Sequence, residues 1–530
     1  MSPKLSAELS ELFSHYIEEH LGLYFSRERA NDLDRALIGV SAELGFQDPE
    51  SCVRSLLLSA AGKAQIEVLA SHLTVGETYF FRDKKSFDVL KDRILPDLIQ
   101  SRRQTGRKNL RIWSAGCATG EEPYSVAILL GSMIHDIEEW DISIIGTDIN
   151  PSFLRKAAKG VYGEWSFRNV PSRFKERFFK EAGKGRFELL PEIRKCVHFF
   201  YHNLAEDTYP SLINSTNAMD IIFCRNVLMY FTEASKRKVA GKFYHCLVDG
   251  GWLMVSPAES SLEQYSPFSQ VHFSESAPYR KGAAKCETGP AENRAAEKGE
   301  PEGAEQLAEE QLTEGRLAEG RGQAGTASDG NVPRPIGSPG VPDVRPPVPE
   351  SACPPAVAAA LRAEAEDTYA EAFKLYESGR YAEAQEKVAP LASGGGNASA
   401  LALLARIHAN RGRLTDALDY CRRAIAADRL NPAYRYLLSA ILLEMGREDE
   451  SKTCLGRALY LDQDFALAHF ALGNLARRRG MKRQSERHFK NALSILRACR
   501  PDNIVAESEG ITAERMIEII MRTIREEALA

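Results

Sequence analysis

The stretch Ile112–Leu130, IWSAGCATGEEPYSVAILL, constrains the fold more than any other part of the chain. An apolar run enters a knot of small residues. Two acids follow, Glu121 and Glu122, then a proline, and the apolar spacing becomes helical. A strand, a tight turn and a helix in that order open a sheet built with crossover helices. Other apolar runs of strand length, LRIWSA, ISIIGTDI, MDIIFCRN and GWLMVSP, alternate with helical patterns through residues 73–281. That rhythm predicts an α/β domain with a mostly parallel sheet.

The same turn restricts the ligand. It lies where a nucleotide-binding first loop lies. A phosphate loop would read G-x-x-x-x-G-K-[ST], and here carboxylates stand instead. Acids beside the ligand disfavour a di- or triphosphate and favour a neutral or cationic molecule. The next strand ends at Asp148, placed to accept hydrogen bonds from ribose hydroxyls. A cationic nucleoside without phosphate describes S-adenosylmethionine. A NAD-type site, or a purely structural turn whose acids cap the helix, also fits these residues taken alone.

At 530 residues the chain is too long for one core. Residues 1–72 read as a helical domain, with Leu9, Leu12, Phe13, Tyr16 and Ile17 at helical spacing, then Leu33, Leu37 and Val40. It is acidic overall and shows no catalytic constellation. Residues 282–360 are rich in Glu, Ala and Gly, then in Pro, with almost no aromatic residue. Such a segment buries too little apolar surface to offset its ordering entropy, so a disordered linker is expected. From residue 361 the chain repeats. Gly379, Gly412, Gly446 and Gly480 fall 33, 34 and 34 residues apart. Small residues precede each by seven positions (Ala372, Ala405, Ser439, Gly473) and follow each by five (Ala384, Ala417, Ser451, Ser485). Small side chains let two antiparallel helices approach, and the glycine permits the turn between them. This pattern resembles tetratricopeptide repeats, expected over 361–498 as an all-α solenoid. The amphipathic end, 499–530, reads as its capping helix.

Further motifs resolve the ligand. TVGETYFFRD (Thr74–Asp83) precedes the sheet, YHNLAED carries Asn203 and Leu204, and DIIFCRNVLMYF spans Asp220–Phe231. GGWLMVSPAESS and a closing Tyr279-Arg280 follow. In order and spacing these resemble the CheR-type glutamate O-methyltransferases of chemotaxis receptors, over about residues 10–281. The resemblance implies a Rossmann-like, S-adenosylmethionine-dependent methyltransferase sheet with a small β insertion after the second strand, for which GRFELLPEIRKCVHFF (residues 185–200) is the candidate. It implies that Thr78 and Arg82 contact the methionine end of the cofactor, Glu122 its amino group and Asp148 its ribose. Asn203 and Leu204 would border the adenine, and Arg225 and Asn226 would floor the methionine moiety. Arg82 and Tyr230 would serve catalysis, Tyr230 beside the transferred methyl. Gly76 stands where the family often has asparagine, which leaves only its backbone N–H to contribute.

The chemistry is consistent with those roles. A glutamate acceptor is already ionised at neutral pH, so no general base is required; orientation and water exclusion are what remain to be supplied. Cys117 and Cys224 read as packing residues and Glu121 as a helix-start acid. The ten cysteines form no C-x-x-C pair, so reduced thiols and no metal are expected. The formal net charge of −5 gives no reason to expect nucleic acid, and no apolar run reaches the roughly 20 residues of a membrane span. A cytoplasmic enzyme is expected, yielding S-adenosylhomocysteine. Its partners would be an acidic helical receptor, drawn to the basic stretches KDRILPDLIQSRRQTGRK and RFKERFFKEAGKGRFELLPEIRKC, and a protein or peptide in the repeat groove. A cofactor-sensing scaffold without turnover, or a methyltransferase acting on RNA or a small molecule, are the alternatives.

Overall fold

The computed structural model describes the chain except residues 1–4, 27–28, 59–61, 206–208, 212–213, 261–264, 274–275, 283–354, 394–396, 509 and 530. Nearly all of the expected linker therefore lies outside the described residues. Among these, no helix is long and apolar enough to cross a membrane.

Four helices open the chain: α1 (Ala7–Leu21), α2 (Ala30–Glu43), α3 (Pro49–Leu58) and α4 (Lys63–Leu73). Leu9, Phe13, Ile17 and Leu21 recur every fourth residue and are buried, and the Ser6 hydroxyl caps the N-terminus of α1. Leu12, expected on the same face, is 54% exposed because it lies a quarter-turn off that stripe. These helices have no core of their own. Their apolar faces join one cluster with Trp113, Ile222 and Leu253 of the central sheet.

A continuous helical rod follows, α5 (Lys84–Val89), a π-turn at Leu90–Ile94 and α6 (Leu95–Gln104). Then come β1 (Asn109–Ala115), α7 (Glu121–Met133), β2 (Asp141–Asp148), α8 (Pro151–Lys159), β3 (Val161–Gly163), α9 (Ser172–Phe178), β4 (Phe179–Gly183), β5 (Arg186–Leu189) and α10 (Pro191–Arg194). The domain closes with β6 (Val197–Tyr201), β7 (Met219–Phe223), α11 (Glu233–Cys246), β8 (Leu247–Met254), β9 (Ser269–Gln270) and β10 (Tyr279–Arg280). The main sheet runs β6-β2-β1-β7-β8-β10-β9. Its first five strands are parallel, and β10 and β9 complete it antiparallel. The winding reverses between β1 and β7, so a crevice opens at their carboxyl ends.

The small insertion is a three-stranded antiparallel sheet, β3-β5-β4. This corrects the expected hairpin at residues 185–200. Only its first part, RFEL, is an insertion strand; CVHFF contributes to β6 of the main sheet, paired in parallel with β2. Pro191 and the short α10 end the one strand and redirect the chain to the other.

The C-terminal helices are α12 (Pro355–Glu377), α13 (Tyr381–Ser393), α14 (Ala398–Asn410), α15 (Leu414–Ala427), α16 (Pro432–Glu444), α17 (Glu448–Leu461), α18 (Ala466–Arg478), α19 (Lys482–Ala498) and α20 (Ala513–Leu529). Helix α12 begins six residues before the expected boundary at 361, where AVAAALRAEAE favours helix strongly. Each spaced glycine turns one helix into its partner, at φ of 74°, 71°, 71° and 68°. The small residues do what their spacing predicts. Ala372, Ala384, Ala405, Ala417, Ser439, Ser451 and Ser485 are all buried at the helix crossings. A Cβ on Gly473 would meet the Phe489 ring at 2.5 Å.

The repeats pack directly on the catalytic domain. Their helix–helix turns meet the edge where the parallel strands begin. Gly379 backs onto the His245 imidazole, and Gly412 onto Val248. Arg411 pairs with Asp249 at 3.0 Å. Arg111, in β1, forms a buried ion pair with Glu444 at the end of α16. The Arg111 guanidinium also donates to the carbonyls of Asn217 and Ser215, at 3.2 and 2.9 Å. A buried pair is costly to break because one charge stays behind without its counter-ion. Glu444→Ala is therefore expected to destabilise the chain by about 3 kcal/mol. The double change Arg111→Leu with Glu444→Leu should recover most of it. Differential scanning calorimetry of the three chains measures both effects, and additive losses in the double variant would refute the pairing.

Candidate functional site

The crevice at the strand ends is lined by the turn after β1, the ends of α1 and β2, the first turns of α7 and α8, the Thr74–Arg82 segment and the loops after β6 and β7. It encloses about 940 Å³ of space, part of it open to solvent. The turn after β1 shapes its floor. Gly116 has φ of 73°, and a Cβ there would sit 2.4 Å from Val227. Gly120 has φ of 92° and faces Ala157 at 2.8 Å. No other residue type fits either place. The backbone N–H groups of Gly116 and Cys117 both donate to the Thr147 carbonyl, which holds the turn against β2.

Asp148 ends β2 inside this crevice. Its carboxylate accepts from the Ala118 N–H at 2.9 Å and the Asn150 N–H at 2.8 Å. Burial nevertheless dominates and pushes its pKa up to about 6. Ionising it costs folding stability progressively as pH rises from about 4 to about 6, roughly 3 kcal/mol in all. A ligand donating hydroxyl groups to the carboxylate would offset part of that cost.

Glu122 and Glu121 are adjacent on α7 and point to different surroundings. Glu122 lines the crevice, accepts from the Ser114 hydroxyl at 2.8 Å and pairs with Arg225 at 3.1 Å. Glu121 is buried and turned away. It accepts from Thr119 at 2.6 Å and Ser166 at 2.9 Å, which ties the helix start to the insertion side of the domain. Arg225 is the centre of the site. Its guanidinium also reaches Asp83 at 3.2 Å and the Arg82 carbonyl at 2.7 Å.

The segment bearing Thr78 and Arg82 is fixed by Phe80. That ring is fully buried among Tyr162, Phe167, Phe174 and Phe179. Phe81 and Asp83 take positive φ angles of 55° and 61°, so the chain bends sharply on either side of Arg82. The half-buried Arg82 side chain donates to the Glu77 carbonyl and lines the crevice.

Of the residues marked in the sequence, Thr78, Arg82, Glu122, Asp148, Asn203, Leu204, Arg225, Asn226 and Tyr230 all line this one crevice. Gly76 stands just behind it. A Cβ there would strike the Phe153 ring at 2.5 Å, and Phe153 itself lines the wall. Glycine thus seats that ring. The Asn203 side chain is directed inward, donating to the His20 carbonyl at 2.7 Å and accepting from the Ala205 N–H at 3.0 Å. Cys117 and Cys224 are buried, and burial holds both thiols well above their usual range. His202 also lines the crevice, but it is packed edge-on to Trp113 and Tyr209 at 5.6 and 4.9 Å.

Two contributions were missed from sequence. Glu259, within the motif GGWLMVSPAESS, is buried beneath the loop after β7. Its carboxylate accepts from the backbone N–H groups of Asn226, Val227 and Met229 at 2.6, 2.8 and 3.0 Å, and from the Ser256 hydroxyl at 2.6 Å. It positions the loop that carries Asn226 and Tyr230. An acid two residues after a proline at a strand end was its only signal. The second is the N-terminal domain, which supplies Leu21 and Leu23 to the wall. Tyr24 donates its N–H to the Tyr230 carbonyl at 2.7 Å, and Arg29 lies 5.2 Å over the Tyr230 ring.

The residues present fit S-adenosylmethionine. A buried carboxylate, Asp148, is available to accept from ligand hydroxyl groups, and a second acid, Glu122, lines the same crevice. Leu21, Leu23, Leu73, Val227 and Phe231 provide apolar surface between them. Glu122→Ala is expected to weaken S-adenosylmethionine binding at least tenfold more than Glu121→Ala, whose cost falls on stability instead. Calorimetric titration of both variants measures this, and equal losses would undo the assignment. The same titration in buffers from pH 5 to 8 should show affinity falling up to tenfold per pH unit below about 6, as Asp148 takes up its proton. Asp148→Asn should remove that dependence.

The comparisons agree with the geometry. Residues 76–276 match the model of the CheR methyltransferase, SAM binding domain, and residues 409–475 match a tetratricopeptide repeat model. Chemotaxis protein methyltransferase 2 of Vibrio cholerae is 32% identical over 269 residues, 51% of this chain and 91% of that protein. The chemotaxis protein methyltransferase of Borreliella burgdorferi is 31% identical over 48% of this chain and 88% of its own length. Chemotaxis protein methyltransferase 1 of Pseudomonas aeruginosa is 31% identical over 51% and 96%. The chain therefore belongs to the CheR family of S-adenosylmethionine-dependent protein-glutamate O-methyltransferases, and carries tetratricopeptide repeats after the catalytic domain.

Proposed function

We propose that this chain methylates glutamate side chains of methyl-accepting chemotaxis-type receptors, and that its repeats bind a protein or peptide partner. The supporting observation is the meeting of Arg82 and Tyr230 with Glu122 and Asp148 around one crevice. When bound, the cofactor supplies an electrophilic methyl group on a sulfonium. The protein's own residues would then do three things. Asp148, Glu122 and the Arg225 pair orient the cofactor. Leu21, Leu23, Val227 and Phe231 keep water from it. Arg82 and the Tyr230 hydroxyl receive and align an incoming carboxylate, a charge-assisted contact for the former. No proton has to be removed from an ionised glutamate.

The charge distribution supports an acidic substrate, although several cations of the stretches singled out in the sequence are paired. In the first, Arg102 pairs with buried Asp220, and Arg103 and Lys108 with Asp136. In the second, Lys175 pairs with Glu164 and Arg194 with Glu188. One exposed cluster combines α8 with the second stretch. Arg155, Lys156 and Lys159 of α8 share a shallow surface with Arg186 of the insertion, and Phe153 of the same helix lines the crevice. An acidic receptor helix lying across α8 would be steered toward Arg82.

The test is transfer of radiolabel from methyl-labelled S-adenosylmethionine to a receptor cytoplasmic fragment, counted as base-labile ester. The full chain should label the fragment. Arg82→Ala should lower kcat about 100-fold and Tyr230→Phe about tenfold, orders typical of lost orienting contacts. Cofactor binding with no label on any receptor would favour a scaffold. Base-stable label would favour a different acceptor.

A further inference from the structure

The first helix of each pair carries the same face, repeated every 33 or 34 residues. Arg406 lies six residues before Gly412, and Tyr436 and Phe470 lie ten before Gly446 and Gly480. Positions four apart share one side of a helix. These first helices also approach one another, α14 packing on α16 as well as on α15. They form the inner wall that stacked helix pairs offer to a partner.

The chain's own C-terminal segment meets that wall. After α19, residues 501–508 and 510–512 form a loop closed by an Ile504–Thr512 bridge and by the Val505 N–H on the Ile511 carbonyl at 2.9 Å. From this loop Glu507 reaches back to the second repeat and forms a mostly buried ion pair with Arg406. The Glu507 φ of 66° is rarely adopted by a residue with a side chain, so the surroundings hold it there. Beyond the loop, Ala513, Met516 and Ile520 enter one apolar cluster with Tyr436, Leu467 and Phe470. A carboxylate on Arg406 and apolar side chains along the next two repeats are together the footprint of a bound peptide.

We infer that the repeat groove is a site for an acidic peptide, and that residues 501–520 occupy it as an internal ligand which such a partner must displace. The site would take a carboxylate at Arg406, followed by an apolar helical face against Tyr436, Leu467 and Phe470. The inference rests on the repeats being a partner groove, and says nothing of methyl transfer. A tethered ligand competes at a high effective concentration, so an outside peptide gains access when the internal contact is weakened.

The experiment uses the full chain and a fluorescein-labelled synthetic peptide of residues 501–524, followed by fluorescence anisotropy. Glu507→Ala and Glu507→Gln chains should each bind the peptide at least tenfold more tightly than the unaltered chain. A peptide carrying Glu507→Ala should bind those chains at least tenfold more weakly, and an Arg406→Ala chain should no longer distinguish the two peptides. Equal affinity of altered and unaltered chains, or indifference to the peptide's glutamate, would overturn the inference and leave residues 501–520 a permanent cap. Ester formation by the same chains, measured separately, distinguishes this outcome from failure of the methyltransferase reading.

Discussion

A buried guanidinium holds the catalytic half of this protein together. The Arg225 side chain is 2% exposed, and a charge in that position requires opposite charge and hydrogen bonds around it. Glu122, Asp83 and the Arg82 carbonyl compensate its two terminal nitrogens. Those partners come from the start of α7 and from the segment before the sheet, while Arg225 itself follows β7. Three segments far apart in sequence are therefore fixed to one point. The loop beyond Arg225 is fixed from beneath by Glu259, and from above by Tyr24 of the N-terminal domain. These polar contacts between distant segments give the crevice its shape.

That arrangement explains why two adjacent acids differ so much in role. Helical geometry turns successive residues by about 100°, so Glu121 and Glu122 cannot face the same surroundings. One is consumed in holding Thr119 and Ser166, and the other is left on the crevice wall. Asp148 shows the opposite economy. Its placement costs stability at neutral pH, the usual mark of a group kept for a ligand.

The repeats are more closely integrated than a flexible tether suggests. Their turns rest on the strand-start edge of the sheet, with Arg111 and Glu444 buried between them. Their inner wall carries the chain's own C-terminal loop. Arg515, in the helix that follows that loop, lies 5.4 Å over the ring of Tyr201, one residue before crevice-lining His202. Arg111 sits in β1, whose far end leads into the Gly116 turn, so a single strand runs from the docked repeats to the crevice floor.

Local sequence was sufficient for the periodic parts. Spaced glycines and small residues define four helix pairs because each pair closes on its neighbours in sequence. The strand–turn–helix unit around Gly116 is legible for the same reason, and so are the residues lining the crevice, through motifs that resemble a known family. What sequence could not supply depends on distant partners. RFEL and CVHFF look alike as apolar runs, and only pairing separates an insertion strand from an edge of the main sheet. Some cations of the basic stretches meet acids far away in sequence, Arg102 with Asp220 for one, while the exposed cluster on α8 and Arg186 joins residues about 30 apart. Glu259 beneath its loop, Leu21 and Leu23 in the wall, and Glu507 on Arg406 belong to the same class. Periodicity and turn chemistry are written in neighbouring residues, whereas compensation of buried charge is settled only when the chain has packed.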